Sequence, residues 1–226
     1  VTDRVVQSDM AEETEVQSET VTQTINEIES ETEQTLETTT TAEQENAVID
    51  RSETFALLND MKAGWNLGNT LDAHSSADLT SETSWGNPKT TPEMIQAIAQ
   101  EGFHTLRIPV TWSKHVSAGP EYKIDAAWMD RVEEVVKYAL DCDMYVILDT
   151  HHEPDYWLKP QSDGLDEVQN ELCAIWQQIA ERFADYDEHL LFEGMNEPRI
   201  KGSAQEWSGG DADGRAAVNT LNQAFV

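Results

Sequence analysis

The chain has 226 residues and a formal net charge of −30 at pH 7, from 44 Asp and Glu against 14 Lys and Arg. An acidic field of this size repels phosphate groups, which argues against nucleic acid as a partner. No stretch approaches the roughly 20 apolar residues of a membrane-spanning helix. Two cysteines, Cys142 and Cys173, are too few for a disulfide framework and are expected as free thiols.

Residues 1–46 differ from the rest of the chain in composition. They contain no Gly, Pro, Cys or aromatic residue, and they carry thirteen Asp or Glu beside the single Arg4. Such a segment cannot bury a core. We therefore predict a disordered acidic tether over 1–46 and a globular domain over 47–226. The chain starts without Met or an apolar signal region, and we expect that a preceding segment has been removed.

Short apolar runs alternate with segments of helical period from about Asp60 onward. The runs predict four strands, at Met61 to Leu67, Thr105 to Val110, Met144 to Leu148 and Leu190 to Met195. The segments between them predict helices that start at Thr91-Pro92 and end at Gly102, that run from Asp125 to Asp141 and from about Leu165 to Tyr186, and that begin near Gly214.

This order of elements predicts parallel strands, in a doubly wound sheet or in a (β/α)8 barrel. No glycine-rich phosphate loop follows the first strand, while polar residues close every strand, as at the mouth of a barrel. A barrel requires eight βα units and four are present. We therefore expect the first four units of a TIM barrel, in a chain that continues beyond Val226.

The tripeptide Asn196-Glu197-Pro198 closes the fourth strand. The proline restricts the residue before it, so Glu197 is expected in extended geometry and rigidly held. Alternation along regular strands places six polar residues on the side that faces the barrel: Asn66, Arg107, Asp149, His151, Glu193 and Glu197. Because a barrel interior does not tolerate an unpaired guanidinium, we expect Arg107 to pair with Asp149 or Glu193.

Four motifs at successive strand ends resemble glycoside hydrolase family 5: Gly64-Trp65-Asn66-Leu67-Gly68-Asn69, Leu106-Arg107-Ile108-Pro109, Asp149-Thr150-His151-His152 and Asn196-Glu197-Pro198. The stretch from Glu82 to Pro88 is similar to the bacterial endoglucanases of that family. The match runs from about residue 58 to the end of the chain.

The resemblance implies a secreted enzyme that cleaves β-1,4-glucans with retention and needs no cofactor or metal. It assigns Glu197 as acid/base and Asn196 as the contact to the sugar 2-hydroxyl, and it places Asn66, Arg107, His151 and His152 at the substrate. The family's nucleophilic Glu follows the seventh strand, and no residue here corresponds to it. We therefore expect residues 1–226 alone to be nearly inactive.

Four tryptophans at or after strand ends offer surfaces on which a sugar ring could stack. Trp85 and Trp157 are the candidates, beside Trp65 and Trp112, whereas Trp128 and Trp176 fall within helical patterns and are expected in the core. Two other functions stay open. One is a carbohydrate-binding fragment without activity. The other is a metal-dependent hydrolase that uses His151, His152 and Glu153, although neighbouring strand residues face opposite ways.

Overall fold

The computed structural model describes residues 52–226, so the predicted tether over residues 1–46 lies outside the described part of the chain. Strands and helices alternate along the described residues. The strands are β1 (Gly64–Asn66), β2 (Thr105–Ile108), β3 (Tyr145–Asp149) and β4 (Leu190–Glu193). The helices are α1 (Ser52–Met61), α2 (Pro92–Gln100), α3 (Ala126–Leu140), α4 (Leu165–Arg182) and α5 (Ala212–Phe225).

The four strands form one parallel sheet in the order β1-β2-β3-β4. Each strand pairs with the next in sequence, so all four carboxyl ends lie at one edge of the sheet. The register sets Asn66 beside Arg107 and Asp149 beside Glu193. The predicted parallel strands with helical connections are therefore confirmed. Within residues 52–226, no helix combines the length and apolar character needed to cross a bilayer.

Several predicted elements are longer than the observed ones, and two of them differ by three or more residues at one end. The strand predicted from Met61 begins only at Gly64, because α1 continues to Met61 and Lys62 then turns the chain with a φ of 46°. The helix predicted to Tyr186 ends at Arg182, where the buried Phe183 leaves helical geometry. Residues 52–60 of α1 carried no strand or helix prediction.

The core lies between the sheet and its helices. Leu106 and Ile108 of β2 are fully buried, and Arg107 between them points to the other face of the sheet, as alternation requires. Helix α3 covers the apolar face with Val132 and Val136. The predicted core tryptophans Trp128 and Trp176 are buried, and the two cysteines are free thiols.

A buried ion pair fixes the loop that follows β1. Glu82 and Arg131 are both almost fully buried, and their side chains form two hydrogen bonds, at 2.9 Å from Nε and 2.7 Å from Nη2. The Glu82 carboxylate also accepts from the backbone N–H of Thr90, at 2.8 Å. Removal of one charge from such a pair leaves the other buried without compensation. The loop after β1 is therefore attached to helix α3 by this ion pair.

Replacement of Glu82→Gln is expected to lower the free energy of unfolding by about 3–5 kcal/mol, because Arg131 then keeps its charge inside the protein. Urea unfolding followed by tryptophan fluorescence measures the change. Glu134→Gln is the matched control, since Glu134 also bonds Arg131, at 2.6 Å, but is half exposed. That variant is expected to lose no more than about 1 kcal/mol. Equal losses in the two variants would contradict the assignment.

Candidate active site

The side chain of Arg107 connects all four strands at the carboxyl edge of the sheet. Its Nε and Nη2 bind the two oxygens of Glu193, at 2.7 and 2.6 Å, as a fork. Nη2 also lies 2.6 Å from Asp149 Oδ2, and Nη1 donates to Asn66 Oδ1 at 3.0 Å. The predicted pairing of Arg107 is confirmed with both carboxylates. The hydrogen bond to Glu193 raises the pKa of Arg107, so the guanidinium stays charged.

Asp149 carries the network from Arg107 to His151. Its carboxylate is fully buried, accepts from the backbone N–H of Val110 at 2.9 Å, and lies 2.7 Å from His151 Nδ1. Burial raises the pKa of Asp149, although the bonds to His151 and Arg107 oppose the shift. When Nδ1 of His151 donates to this carboxylate, Nε2 is left as an acceptor. The imidazole is thus held in one orientation by the carboxyl group of Asp149.

Asn196 joins the end of β4 to the same network. Its backbone N–H donates to the carbonyl of Thr150 at 2.9 Å, and its Oδ1 accepts from Arg107 Nη2 at 3.0 Å. The Thr150 hydroxyl donates back to the carbonyl of Gly194 at 2.7 Å. These bonds fix the residue that directly precedes Glu197. Of the residues that the sequence predicts for the site, Asn66, Arg107, His151 and Asn196 are therefore in one bonded group.

Glu197 lies at the same edge but outside this group. Its φ is 46°, in the left-handed region, so the expectation of extended geometry before Pro198 was wrong. A non-glycine residue in that region is strained, and such strain concentrates at functional sites. The side chain is 56% exposed, and its Oε2 accepts from Arg199 Nη1 at 3.2 Å. The carboxylate is therefore open to a ligand, with Arg199 as its neighbour.

An aromatic and imidazole cluster forms a second part of the edge. Trp85, 40% exposed, contacts the rings of His74 and His152, at centroid distances of 5.0 and 5.5 Å. His152 in turn contacts the His151 ring at 4.6 Å. The Tyr156 hydroxyl lies 2.6 Å from His74 Nδ1. The predicted Trp85 and His152 thus adjoin the Arg107 network.

Three residues of this region were not predicted from the sequence: His74 and Tyr156 of the cluster, and Asp72, whose Oδ2 lies 3.7 Å from His152 Nε2. Asp72 and His74 lie in the loop after β1, where no periodic pattern marks a strand end. Burial raises the pKa of Asp72, but the interaction with His152, 3.7 Å away, and hydrogen bonds from the backbone more than offset this, so the pKa lies below its ordinary value. Burial also lowers the pKa of His74, which favours the neutral imidazole.

Three other predicted aromatic surfaces are placed differently from Trp85. Trp112 is fully buried and donates its indole N–H to the carbonyl of Asp149 at 3.0 Å, so no sugar can stack on it. Trp65 packs edge-on against Phe103, on the face of the sheet opposite to Asn66. Trp157 is half-buried and packs against the core. Its role in stacking stays a prediction.

Of the three suggested metal ligands, His151 and His152 do lie close together, with Asp72, but Glu153 does not join them. Glu153 is fully buried, and its carboxylate turns away to accept from the backbone N–H of Trp112 at 2.7 Å and from the hydroxyl of Ser113. Ligand atoms of His74, His152 and Asp155 do lie within 4.8 Å of one another. Asp155, however, already pairs with the ammonium of Lys201 at 2.7 Å, which opposes a cation at that point.

A strained strand-end glutamate, an arginine network and an aromatic wall at the carboxyl edge of a parallel sheet define a βα protein with a polar ligand site at that edge. Residues 71–226 match the family model "Cellulase (glycosyl hydrolase family 5)". The chain therefore belongs to glycosyl hydrolase family 5, whose fold is a (β/α)8 barrel. The observed four-stranded parallel sheet is part of that architecture.

The proteins that are similar to this chain include several named endoglucanases. The chain is 55% identical over 170 residues to endoglucanase A of Ruminococcus albus, covering 75% of this chain and 46% of that protein. It is 54% identical, with a TM-score of 0.76, to a xyloglucan-specific endo-β-1,4-glucanase from a metagenomic library in complex with cellotriose; the match covers 78% and 52% of the two chains. A broad-specificity endoglucanase from Ruminococcus champanellensis is 52% identical, with a TM-score of 0.74 and coverage of 75% and 51%. The chain thus spans about half the length of these relatives.

The buried carboxyl group of Glu153 is expected to make the stability of the protein depend on pH. Burial raises its pKa to about 7, although the hydrogen bonds from Ser113 and Trp112 oppose the shift. A carboxyl whose pKa is raised on folding stabilises the fold below its unfolded pKa, and this contribution is lost as the pH rises through the folded pKa. The stability of the protein should therefore fall between about pH 4.5 and about pH 7 through this group.

The variant Glu153→Gln cannot ionise, and it is expected to escape this loss. Its free energy of unfolding, relative to that of the unsubstituted protein, should increase as the pH rises from about 4.5 to about 7. The lost acceptor oxygen adds a cost that does not change with pH. Urea unfolding of both proteins across this range measures the difference. A constant difference between them would show that Glu153 does not titrate there.

Proposed function

We propose that the protein is an endo-acting β-1,4-glucanase that hydrolyses O-glycosidic bonds in cellulose or related β-glucans with retention, with Glu197 as the acid/base. The observation that carries this proposal is that Arg107 holds Asn196, the residue directly before Glu197, while Glu197 itself has a strained backbone and an exposed carboxylate. The family and the names of the relatives support the reaction class.

In the proposed reaction, Glu197 gives its proton to the oxygen of the leaving sugar while a second carboxylate attacks the anomeric carbon. The bond between that carbon and the leaving oxygen breaks, and a glycosyl-enzyme forms. Water then attacks the same carbon, gives its proton to Glu197 and releases the nucleophile. The resemblance places this nucleophile after the seventh strand of the barrel, and we assign it to no residue among 52–226.

The neighbouring side chains suit a neutral sugar. The Asn196 amide oxygen is engaged by Arg107, while its Nδ2 has only a long contact, 3.4 Å, to the carbonyl of His151. That amide N–H₂ is therefore the donor that we assign to the sugar 2-hydroxyl. Asn66, Arg107, His151 and His152 line the same substrate site in this proposal. Trp85 offers a partly exposed ring on which the sugar can stack.

Two further assignments follow from the proposed substrate. A β-glucan is a neutral polymer outside the cell, so we propose that the protein is secreted and degrades polysaccharide there. The net charge of −30 does not oppose binding of a neutral polymer, whereas it repels the phosphates of nucleic acid. We also propose that residues 1–226 by themselves hydrolyse β-glucan at no more than a trace. The reason is that we assign the role of the nucleophile to none of these residues.

The acid/base role is tested by Glu197→Ala in the full-length protein. The variant is expected to lose about 10²–10⁴-fold in kcat on soluble β-glucan, since proton transfer no longer assists departure of the leaving sugar. On an aryl cellobioside with a good leaving group, added azide should restore turnover and yield a β-glycosyl azide. Azide needs no general base, so it replaces water at the glycosyl-enzyme.

Glu188→Gln is the matched control, because Glu188 is an exposed glutamate at the opposite, amino end of β4. That variant is expected to keep full activity and to show no response to azide. Reducing-sugar release and product analysis by NMR provide the readouts. Full activity of Glu197→Ala on β-glucan, or an azide product of the α configuration, would contradict the proposal. Sugar binding without hydrolysis by the unsubstituted full-length protein would favour a carbohydrate-binding function instead.

A further inference from the structure

Three side chains beside the candidate active site have the composition of a zinc site. They are Asp72, in the loop after β1, and His151 and His152, which follow β3. One ligand atom from each of these residues lies within 4.8 Å of those of the other two. Two imidazoles and a carboxylate are a donor set that Zn²⁺ takes in proteins, whereas Mg²⁺ and Ca²⁺ prefer oxygen ligands alone. We call these three residues the Asp72 cluster.

The spacing inside the Asp72 cluster is close to that of zinc ligands. Asp72 Oδ2 and His152 Nε2 are 3.7 Å apart, which is too far for a hydrogen bond. Two ligands of a tetrahedral zinc ion lie about 3.3–3.5 Å apart, given metal–ligand bonds of about 2.0–2.2 Å. A shift of about 0.2–0.4 Å therefore brings the two atoms to the separation that one ion requires.

Asp149 holds His151 in the orientation that a metal ligand needs. Its carboxyl group lies 2.7 Å from His151 Nδ1, which leaves Nε2 as the nitrogen available to an ion. Metal-bound histidines almost always use their other ring nitrogen to bind a carboxylate, a backbone carbonyl or water. Asp149 is fully buried and is itself fixed by the backbone N–H of Val110. The outer partner of a zinc-bound His151 is thus already in place.

The carboxylate of Asp72 is also held in one position. The residue is almost fully buried, and its Oδ1 accepts from the backbone N–H of Thr70 at 2.8 Å. The hydroxyl of Thr111 donates to the Asp72 carbonyl at 2.8 Å, which attaches this loop to the segment after β2. The ligand from the first loop therefore needs little reordering when an ion binds.

The charge of Asp72 lacks a cationic side chain at contact distance. Within the described residues 52–226, His152 is the only side chain at ion-pair distance from the Asp72 carboxylate, and no Lys or Arg is. The guanidinium of Arg107 pairs with Glu193 and Asp149 instead. A buried charge is costly unless it is paired or coordinates a metal. Asp72 is therefore the member of the cluster that attracts a cation.

We propose that Zn²⁺ binds to Asp72, His151 and His152 and thereby inhibits the protein. Three protein ligands leave the fourth tetrahedral position to water. The inhibition rests on the proposed function, because His151 and His152 line the substrate site in that proposal. An ion that occupies both imidazoles competes with the sugar and takes no part in the reaction. Zinc should therefore raise KM for β-glucan and leave kcat unchanged.

Zinc binding by the full-length protein is measured by equilibrium dialysis against ZnCl₂ and metal analysis. Asp72→Asn is expected to lower the affinity of the site more than about 100-fold, since loss of an outer partner alone costs about 10–100-fold. His152→Gln should give a similar loss. Asp155→Asn is the matched control, because Asp155 belongs to the neighbouring group in which Lys201 opposes a cation. That variant is expected to keep the affinity.

Initial rates on soluble β-glucan, with and without zinc, measure the inhibition. Zinc should raise KM for the unsubstituted protein and for Asp155→Asn. The same zinc concentration should leave KM of Asp72→Asn at its own zinc-free value. Each protein is compared with itself, so a change in basal activity does not enter the comparison.

Absence of bound zinc in the unsubstituted protein, or equal affinities in Asp72→Asn and Asp155→Asn, would overturn the site. Loss of activity when a chelator removes zinc would overturn the inhibitory role. A full-length protein that hydrolyses no β-glucan would overturn the proposed function. In that case, a loss of zinc affinity confined to Asp72→Asn and His152→Gln would still support the site itself.

Discussion

The guanidinium of Arg107 is the group on which the arrangement of the site depends. A charge at the edge of a largely apolar sheet requires compensation, and Arg107 takes it from Glu193 and Asp149 while it also binds Asn66 and Asn196. These four partners come from β1, from β3 and from β4 with its carboxyl end. The cost of desolvating the cation is thus met only when all four strands are in register. Correct folding and assembly of the site are the same event.

The same reasoning explains how the residues beyond Arg107 are arranged. Asp149 is fully buried, so its two oxygens must be satisfied, and they take the backbone of Val110 and the ring of His151 besides Arg107. His151 then contacts His152, and His152 contacts Trp85. A chain of satisfied polar groups therefore connects the centre of the sheet to an exposed aromatic wall. The orientation of the exposed Trp85 therefore depends on contacts that begin at the buried Asp149.

The sequence was informative where periodicity and strand-end chemistry coincide. Four strands, the apolar face of α3 and the pairing of Arg107 all follow from alternation and from the cost of an unpaired buried charge. The loop residues Asp72 and His74 could not be found in this way, because no regular period relates them to the sheet. The backbone of Glu197 was also mispredicted, since the preference imposed by Pro198 was overridden by the bond from Asn196 to the carbonyl of Thr150 and by the local bond from Arg199 to the carbonyl of Glu197.

The buried pair of Glu82 and Arg131 connects the proposed site to the outer side of the sheet. It attaches the loop that carries Trp85 to helix α3 on the outer side of the sheet. The position of Trp85 therefore depends on contacts made on that outer side. In the proposed function, mutations on that helix would alter the position of Trp85, and with it the substrate preference, without a change at Glu197. Variants with altered preference selected from random libraries should then include substitutions around Arg131, remote from the proposed substrate site, beside those in the site.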